Sequence, residues 1–272
     1  MSTATDLFAG AGGSSQGLHA AGFTVEMAAN HWRLAVDSHA ANFRDTAHDC
    51  ADLSQVKPQR YPRTALLWGS PECTNHSIAK SSNRQQADRT PNAEGEVLPD
   101  DASERSRATM WDIVRFAEHH RYPVVIVENV VDAVTWVLYD AWVASMRALG
   151  YEHQEVFLNS MFAGAPQSRD RYYGVFWMRG VKAPDLNIHP AAYCEPCGRE
   201  VASVQTFKPG HARAARYNAQ NYNSCPGCAN RVEPNVHGAE TAIDWTIPGQ
   251  VIGQRSKPLA DGTMRRIQAG LD

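Results

Sequence analysis

One cysteine, Cys73, stands in the turn Gly69-Ser70-Pro71-Glu72-Cys73-Thr74-Asn75-His76-Ser77, directly after the apolar run Ala65-Leu66-Leu67-Trp68. Such a run reads as a buried strand, and a Gly/Pro/Ser turn at its mouth presents a thiol to a ligand. The competing reading is a small buried hydrophobe, the commoner fate of a free cysteine. A second apolar strand, Tyr122-Pro123-Val124-Val125-Ile126-Val127, ends in Glu128-Asn129-Val130. A carboxylate closing a strand of that apolarity must be paired, protonated or functional, with a structural cap as the alternative. In Gln167-Ser168-Arg169-Asp170-Arg171 two arginines alternate, which on an extended strand sends both to one side. Four further cysteines form two C-x-x-C turns, Cys194/Cys197 and Cys225/Cys228, separated by 27 residues. Tetrahedral zinc takes four soft ligands, and each turn offers two thiolates on one tight loop. Disulfides or redox chemistry are the alternatives.

These residues need a scaffold, and the chain supplies an alternating one. Residues 3–8 read as a strand, followed at once by Ala9-Gly10-Ala11-Gly12-Gly13, then a helix over 14–21 stopped by Gly22. Strand, glycine turn, helix opens a nucleotide-binding α/β unit, because glycines admit a ligand to the backbone and the helix N-terminus offers free N–H donors. The spacing is not G-x-G-x-x-G, and a plain tight turn reads equally well. A second strand over 25–29 leads to Asn30-His31-Trp32 and a helix over 33–42. A third short strand precedes Asp52 and Leu53. In doubly wound sheets the polar residues at strand ends converge on one crevice, so His31, Trp32 and Asp52 are candidates to bond a ribose and stack an adenine. Asp52 also reads as an N-cap before Leu53-Ser54-Gln55, and taken alone that is the better reading.

Residues 79–104 are polar and show no apolar period, so they read as a long loop, either disordered or a lid. A helix over 107–119 places Met110, Ile113, Val114 and Ala117 on one face. Another helix covers 140–149, and strands over 156–161 and 171–177 form a hairpin.

At 272 residues, 43% hydrophobic and 20% charged, the chain is long enough for a full core and has the composition of a soluble globular protein. No apolar stretch is long enough for a membrane span, and the start lacks the basic and apolar regions of a signal peptide, so the cytoplasm is the expected compartment. A net charge of −3 argues against a chain that coats nucleic acid non-specifically. Yet residues 160–232 carry nine Lys/Arg against four Asp/Glu, while residues 1–79 carry five against seven. That asymmetry suits a cofactor domain beside a polyanion-facing surface, or ordinary solvated arginines. Between the cysteine turns, Lys208, His211, Arg213 and Arg216 mix with aromatics, which fits a nucleic-acid backbone or a solvated zinc-ribbon face.

Four stretches in order, Asp6-Leu7-Phe8-Ala9-Gly10-Ala11-Gly12-Gly13, the Cys73 turn, Val127-Glu128-Asn129-Val130 and Gln167-Ser168-Arg169-Asp170-Arg171, resemble the cytosine-5 DNA methyltransferase family. The resemblance covers about residues 4–178, with weaker similarity over 244–271. It implies a doubly wound, Rossmann-like methyltransferase sheet of class α/β carrying a zinc-ribbon-like insertion. By that resemblance Phe8, Gly10, Gly12 and Gly13 line an S-adenosylmethionine site, His31 lies where the ribose is met, Trp32 stacks on the adenine, and Asp52 with Leu53 reaches its edge. Cys73 is the implied nucleophile and Glu128 the group at ring nitrogen 3. Arg169 and Arg171 support the nucleophile and the base's carbonyl oxygen. Cys194, Cys197, Cys225 and Cys228 are expected to hold one structural zinc.

The sequence departs from that family at His31, where an acidic residue usually meets the ribose, and at Glu72, where a proline usually precedes the nucleophile. A carboxylate beside Cys73 disfavours the thiolate unless it points away or pairs with an arginine. Later family motifs and a full recognition domain are not found, so a C-terminal segment or a second polypeptide is an expected partner beside double-stranded DNA. The expected division is 1–180 for cofactor and catalysis, 181–240 for the insertion, and 241–272 for the start of a recognition region. The implied activity is DNA cytosine-5 methylation, in a bacterial or phage-infected cell and of the restriction-modification type. An RNA cytosine-5 methyltransferase, or a degenerate copy that binds DNA without chemistry, are the alternatives.

Overall fold

The computed structural model describes residues 2–72, 101–211, 216–247 and 259–269. Cys73 and most of the expected long loop lie outside them, but residues 101–104, read as part of that loop, belong to a helix.

Strand β1 (Ser2–Leu7) is buried over its last four residues, and α1 (Gly13–Ala20) follows the glycine turn. Gly12, at the N-cap, has φ 113°, and a Cβ there would sit 2.3 Å from the Phe43 ring. Both the backbone conformation and the close approach require glycine. β2 (Phe23–Asn30) lies parallel to β1, and α2 (Arg33–Asn42) has the expected bounds. β3 (Ala47–Cys50) joins β2, while β4 (Leu66–Gly69) joins the other side of β1. After α3 (Asp101–His120) come β5 (Val124–Asn129), α4 (Tyr139–Ala148), β6 (Tyr151–Asn159) and β7 (Asp170–Met178).

The seven strands form one sheet in the order β3-β2-β1-β4-β5-β7-β6. β1 to β5 are parallel, and β7 runs antiparallel between β5 and β6. The direction of winding reverses between β1 and β4, the doubly wound arrangement expected, and such a reversal opens a crevice at the carboxyl ends of the strands. One face of the sheet packs on α3 and α4 through Met110, Ile113, Phe116, Trp142 and Met146, all fully buried. Two of the buried rings have their polar ends bonded: Trp142 Nε1 donates to the Met110 carbonyl at 2.9 Å and Tyr151 Oη to the Tyr122 carbonyl at 2.8 Å.

β5 alternates: Val125, Val127 and Asn129 are buried, while Val124, Ile126 and Glu128 are half-buried on the opposite face. That pleat turns Glu128 away from the core. β6 starts at Tyr151 and stops at Asn159, so Met161 lies in the 3-10 turn Ser160–Ala163, whose N-cap is the Asn159 side chain.

The insertion has its own small sheets, β8 (Ala191–Cys194) with β9 (Arg199–Ala202), and β10 (Val204–Phe207), β11 (Asn221–Ser224) and β12 (Arg231–Val232). Ala192, Cys194, Val201, Cys225 and Val232 form its core. A last helix, α5 (Asp261–Gln268), lies beyond. Among the described residues no helix is long and apolar enough to cross a membrane.

Candidate functional site

At the end of β1 the chain turns sharply. Phe8 takes φ 61°, rare for a ring-bearing residue, and packs against the core. A Cβ on Gly10 or Gly13 would meet nothing within 4 Å, so the turn is open where a ligand would lie. No side chain caps α1, whose first N–H groups face the same opening. Beneath the turn, Asp6 is fully buried. Ser14 and Ser15 donate their hydroxyls to its Oδ2 at 2.6 and 2.7 Å, while Oδ1 has no protein partner. Burial pushes the Asp6 carboxyl up to about 6, against the pull of the two serines. The chain of contacts continues through Ser15 to His39 Nε2 at 2.9 Å and from His39 Nδ1 to His48 Nε2 at 2.8 Å. Burial, with His48 adding, lowers His39 to about 4.

The second strand end is tied to this turn: Asn30 Nδ2 donates to the Ala9 carbonyl at 2.9 Å, and its Oδ1 accepts from the Trp32 N–H at 2.8 Å. The Trp32 ring is 58% exposed, free to stack on a planar ligand. Asp52 accepts from the Ser54 N–H at 3.0 Å and the Ser54 hydroxyl at 2.8 Å, the capping role that its surroundings favoured. Leu53 belongs to the core cluster, with its carbonyl taken by Arg115 of α3. These features suit an adenosine-bearing cofactor: an open glycine turn, an uncapped helix start and an exposed indole.

Opposite lies the β4–β5 edge. Ser70 N–H donates to the Leu7 carbonyl at 3.1 Å, carrying the turn past β1. Buried Asn129 donates from Nδ2 to the Pro71 carbonyl at 3.4 Å, tying the Cys73-bearing turn to the end of β5. Cys73 itself lies outside the described residues. Glu128 faces Tyr173 in the register of β5 and β7, with Arg171 its diagonal neighbour on the same face. Arg171 Nε reaches Glu128 Oε1 at 2.9 Å, both side chains about one-fifth exposed. Arg169 lies one residue before β7 with its side chain exposed, and its N–H donates to Asn159 Oδ1 at 3.1 Å. Glu72, two residues before Thr74, lies 3.7 Å from His31.

The four insertion cysteines come together as their spacing predicted, with all four Sγ atoms within 4.8 Å of one another. Cys194 and Cys228 are 3.5 Å apart, Cys197 and Cys225 3.9 Å. Tetrahedral zinc with Zn–S bonds of about 2.3 Å separates its ligands by roughly 3.8 Å. Asn230 donates to Cys228 Sγ at 3.3 Å and holds that thiol down to about 6. Of the cations between the cysteine turns, Arg213 lies outside the described residues and Arg216 is engaged with Asp132.

Asn129, Asp6, His39 and Asp132 were not among the residues singled out from sequence. Asp6 and Asn129 sit inside the motif stretches and were legible there as polar residues in apolar strands; the others had no local signal.

A parallel sheet with a glycine turn on β1, polar strand ends and an antiparallel β7 defines an α/β domain of the methyltransferase type. Residues 2–190 match the family model described as C-5 cytosine-specific DNA methylase, and the chain belongs to that family. It is similar to the Type II methyltransferase M.HgiDI of Herpetosiphon aurantiacus, 27% identical over 187 residues, 67% of this chain and 54% of the relative. To the Type II methyltransferase M.AgeI of Thalassovita gelatinovora it is 27% identical over 180 residues, 62% of this chain and 38% of the relative. Thus the chain spans about half or less of the length of these two relatives. Among solved structures, the Spodoptera frugiperda DNMT2 superposes with TM-score 0.53 at 17% identity, over 68% of this chain and 52% of its own. A prophage-encoded DNA modification methyltransferase of E. coli gives 0.52 at 18%, over 76% and 60%. At those identities the likeness is one of fold.

Proposed function

We propose that this chain is the cofactor-binding and catalytic part of a DNA cytosine-5 methyltransferase. The observation that carries the reading is the Asn129–Pro71 hydrogen bond of 3.4 Å, which ties the turn entering Cys73 to the strand end where Glu128 and Arg171 pair at 2.9 Å. Phe8, Gly10, Gly12, Gly13, His31 and Trp32, with Asp52 and Leu53 behind them, would hold S-adenosylmethionine. When bound, that cofactor supplies an electrophilic methyl group.

Carbon 5 of cytosine is a poor nucleophile while the ring stays aromatic. Attack by the Cys73 thiolate on carbon 6 breaks the aromaticity and makes carbon 5 enamine-like. Glu128 shares a proton with ring nitrogen 3 and so neutralises the charge arriving there. Arg171 orients that carboxyl, and Arg169 with Arg171 faces the base's carbonyl oxygen. After methylation a base removes the carbon 5 proton and Cys73 departs by elimination. The target must leave the duplex for this, so double-stranded DNA is the partner and the base is flipped. The cytoplasm is the compartment that goes with this reading. Cys194, Cys197, Cys225 and Cys228 would hold a structural zinc, since four thiolates leave no open position.

The same proposal divides the chain into 1–180, the insertion 181–240 and 241–272. The end of β7, the last strand of the large sheet in chain order, at Met178 supports the first boundary. Bisulfite sequencing of DNA from cells expressing the chain tests the activity. New 5-methylcytosine is expected at a low level, and none with Cys73→Ser. Unmodified DNA beside folded, cofactor-binding protein contradicts the reading.

A further inference from the structure

The cysteine-rich insertion contacts the catalytic strands through two carboxylates that no chemical step uses. Asp132 lies in the 3-10 turn Val131–Thr135 that follows β5 and is only 6% exposed. It forms an ion pair with Arg216 of the insertion. Asp170 stands between Arg169 and Arg171, and its Oδ1 accepts from Asn159 Nδ2 at 2.9 Å and from the Tyr217 N–H at 3.1 Å. The Tyr217 ring meets Phe162 edge-on, with centroids 5.0 Å apart. Two adjacent residues of the insertion therefore hold the segment after Glu128 and the residue before Arg171.

Their own placement runs back to the cysteines. The Arg216 carbonyl accepts from the Gln220 and Asn221 N–H groups at 2.7 and 3.2 Å, and the Arg216 N–H donates to Gln220 Oε1 at 2.8 Å. Asn221 opens β11, and β11 ends at Ser224, directly before Cys225. The Cys225 N–H in turn donates to the Asn230 carbonyl at 2.8 Å within the second cysteine turn. A buried carboxylate left without its cation must be hydrated, neutralised or moved. Losing Arg216 would therefore shift the turn after Glu128 as well as loosen the insertion.

We propose that Arg216 and Tyr217 are positioning residues through which the metal-held insertion sets the geometry of the Glu128–Arg171 pair. The inference rests on the reading of that pair as the base-binding one, and on zinc at the four cysteines. Metal binding orders such cysteine turns, and the short path from Cys225 to Asp132 and Asp170 carries that order to the pair. An insertion that only decorates the surface would leave the pair alone.

Hydrogen exchange followed by mass spectrometry, on the full zinc-loaded chain, tests this without requiring activity. Arg216→Gln should retain zinc and S-adenosylmethionine affinity, yet exchange about tenfold faster over residues 131–135 and 170–173, with β1 and β2 unchanged. Arg216→Lys should recover part of the protection. Wild-type protein stripped of zinc should show the same pattern, and this arm decides the matter if Arg216→Gln does not fold. In a methyl-transfer assay kcat should fall about tenfold in Arg216→Gln while KM for the cofactor holds. Unchanged exchange over both segments in variant and stripped protein overturns the proposal. Faster exchange in a chain that transfers no methyl group supports the coupling and tells only against the catalytic reading of Glu128.

Discussion

His31 Nε2 lies 3.7 Å from Glu72 Oε1, so the residue following β2 faces the residue preceding Cys73. Each departs from the pattern the chain otherwise resembles, and the two departures meet. A carboxylate that would disfavour the Cys73 thiolate is thereby turned toward an imidazole across the crevice. With both side chains about half exposed, the pair adds little to stability. Glu72 adjoins Cys73 in the chain, so the pair bears on the charge beside that residue.

That charge gives opposite expectations for two variants. Glu72→Ala removes a negative neighbour and should speed alkylation of Cys73 by iodoacetamide about threefold at pH 7. His31→Ala removes the imidazole that faces the carboxylate and should slow it by a similar factor. Peptide mapping of alkylated protein reads both rates at Cys73 alone. Equal rates in both variants would show that the pair does not act on the thiol.

The covalent role of Cys73 has a sharper test. DNA carrying 5-fluorocytosine should trap the protein, because fluorine at carbon 5 cannot leave as a proton and the final elimination fails. With the methyl donor present, a denaturation-resistant adduct is expected from the wild type. Cys73→Ser should give none while keeping cofactor and zinc, since a serine hydroxyl is far less acidic than a thiol. An adduct that survives the substitution would remove Cys73 from the mechanism.

Much of this site could be read locally. The glycine turn was legible because Gly12 needs a positive φ and an approach to Phe43 that no side chain allows. The cysteine cluster was legible because each half is one tight turn. β7 begins at Asp170, one residue after Arg169, a boundary that the alternation of arginines did not mark. Nothing in the sequence linked Asp132 to Arg216, 84 residues apart, or Asn129 to Pro71, 58 apart. Those contacts depend on which strand lies beside which, and apolar periodicity does not carry that information. Glu128 was recognised by its position, but the pleat that exposes it became evident only with α3 and α4 on the other face.

The insertion should bind one zinc per chain. Cys225→Ser should reduce it below about half an equivalent by elemental analysis, because structural sites need all four ligands. The α/β sheet should survive, since its core of Met110, Phe116, Trp142 and Phe176 is separate from that of the insertion. Calorimetric S-adenosylmethionine binding should then be unchanged. Full zinc occupancy in the variant would mean that the cluster does not hold the metal as drawn.

The buried network under the glycine turn predicts two opposed pH dependences. Asp6 is raised by burial from the ordinary 3.8 to about 6, so the folded chain binds its proton more tightly than the unfolded chain does. Its contribution is present below pH 4 and is lost as pH rises to 6, by about 3 kcal/mol. His39 is lowered from 6.5 to about 4, mainly by burial. The unfolded chain then binds the extra proton, and stability falls as pH drops from 6.5 to 4. Because Ser15 joins the two groups, at 2.7 Å from Asp6 and 2.9 Å from His39, the trends oppose each other within one network and largely cancel in the wild type. Single variants separate them. The unfolding free energy of Asp6→Asn relative to wild type, from urea titrations, should rise by about 3 kcal/mol between pH 4 and pH 7, the variant gaining stability relative to the wild type. For His39→Asn the relative value should move by a similar amount in the other direction, gaining toward pH 4. If the Asp6→Asn difference stays constant within about 1 kcal/mol over that range, the carboxyl beneath the glycine turn does not titrate as its burial requires.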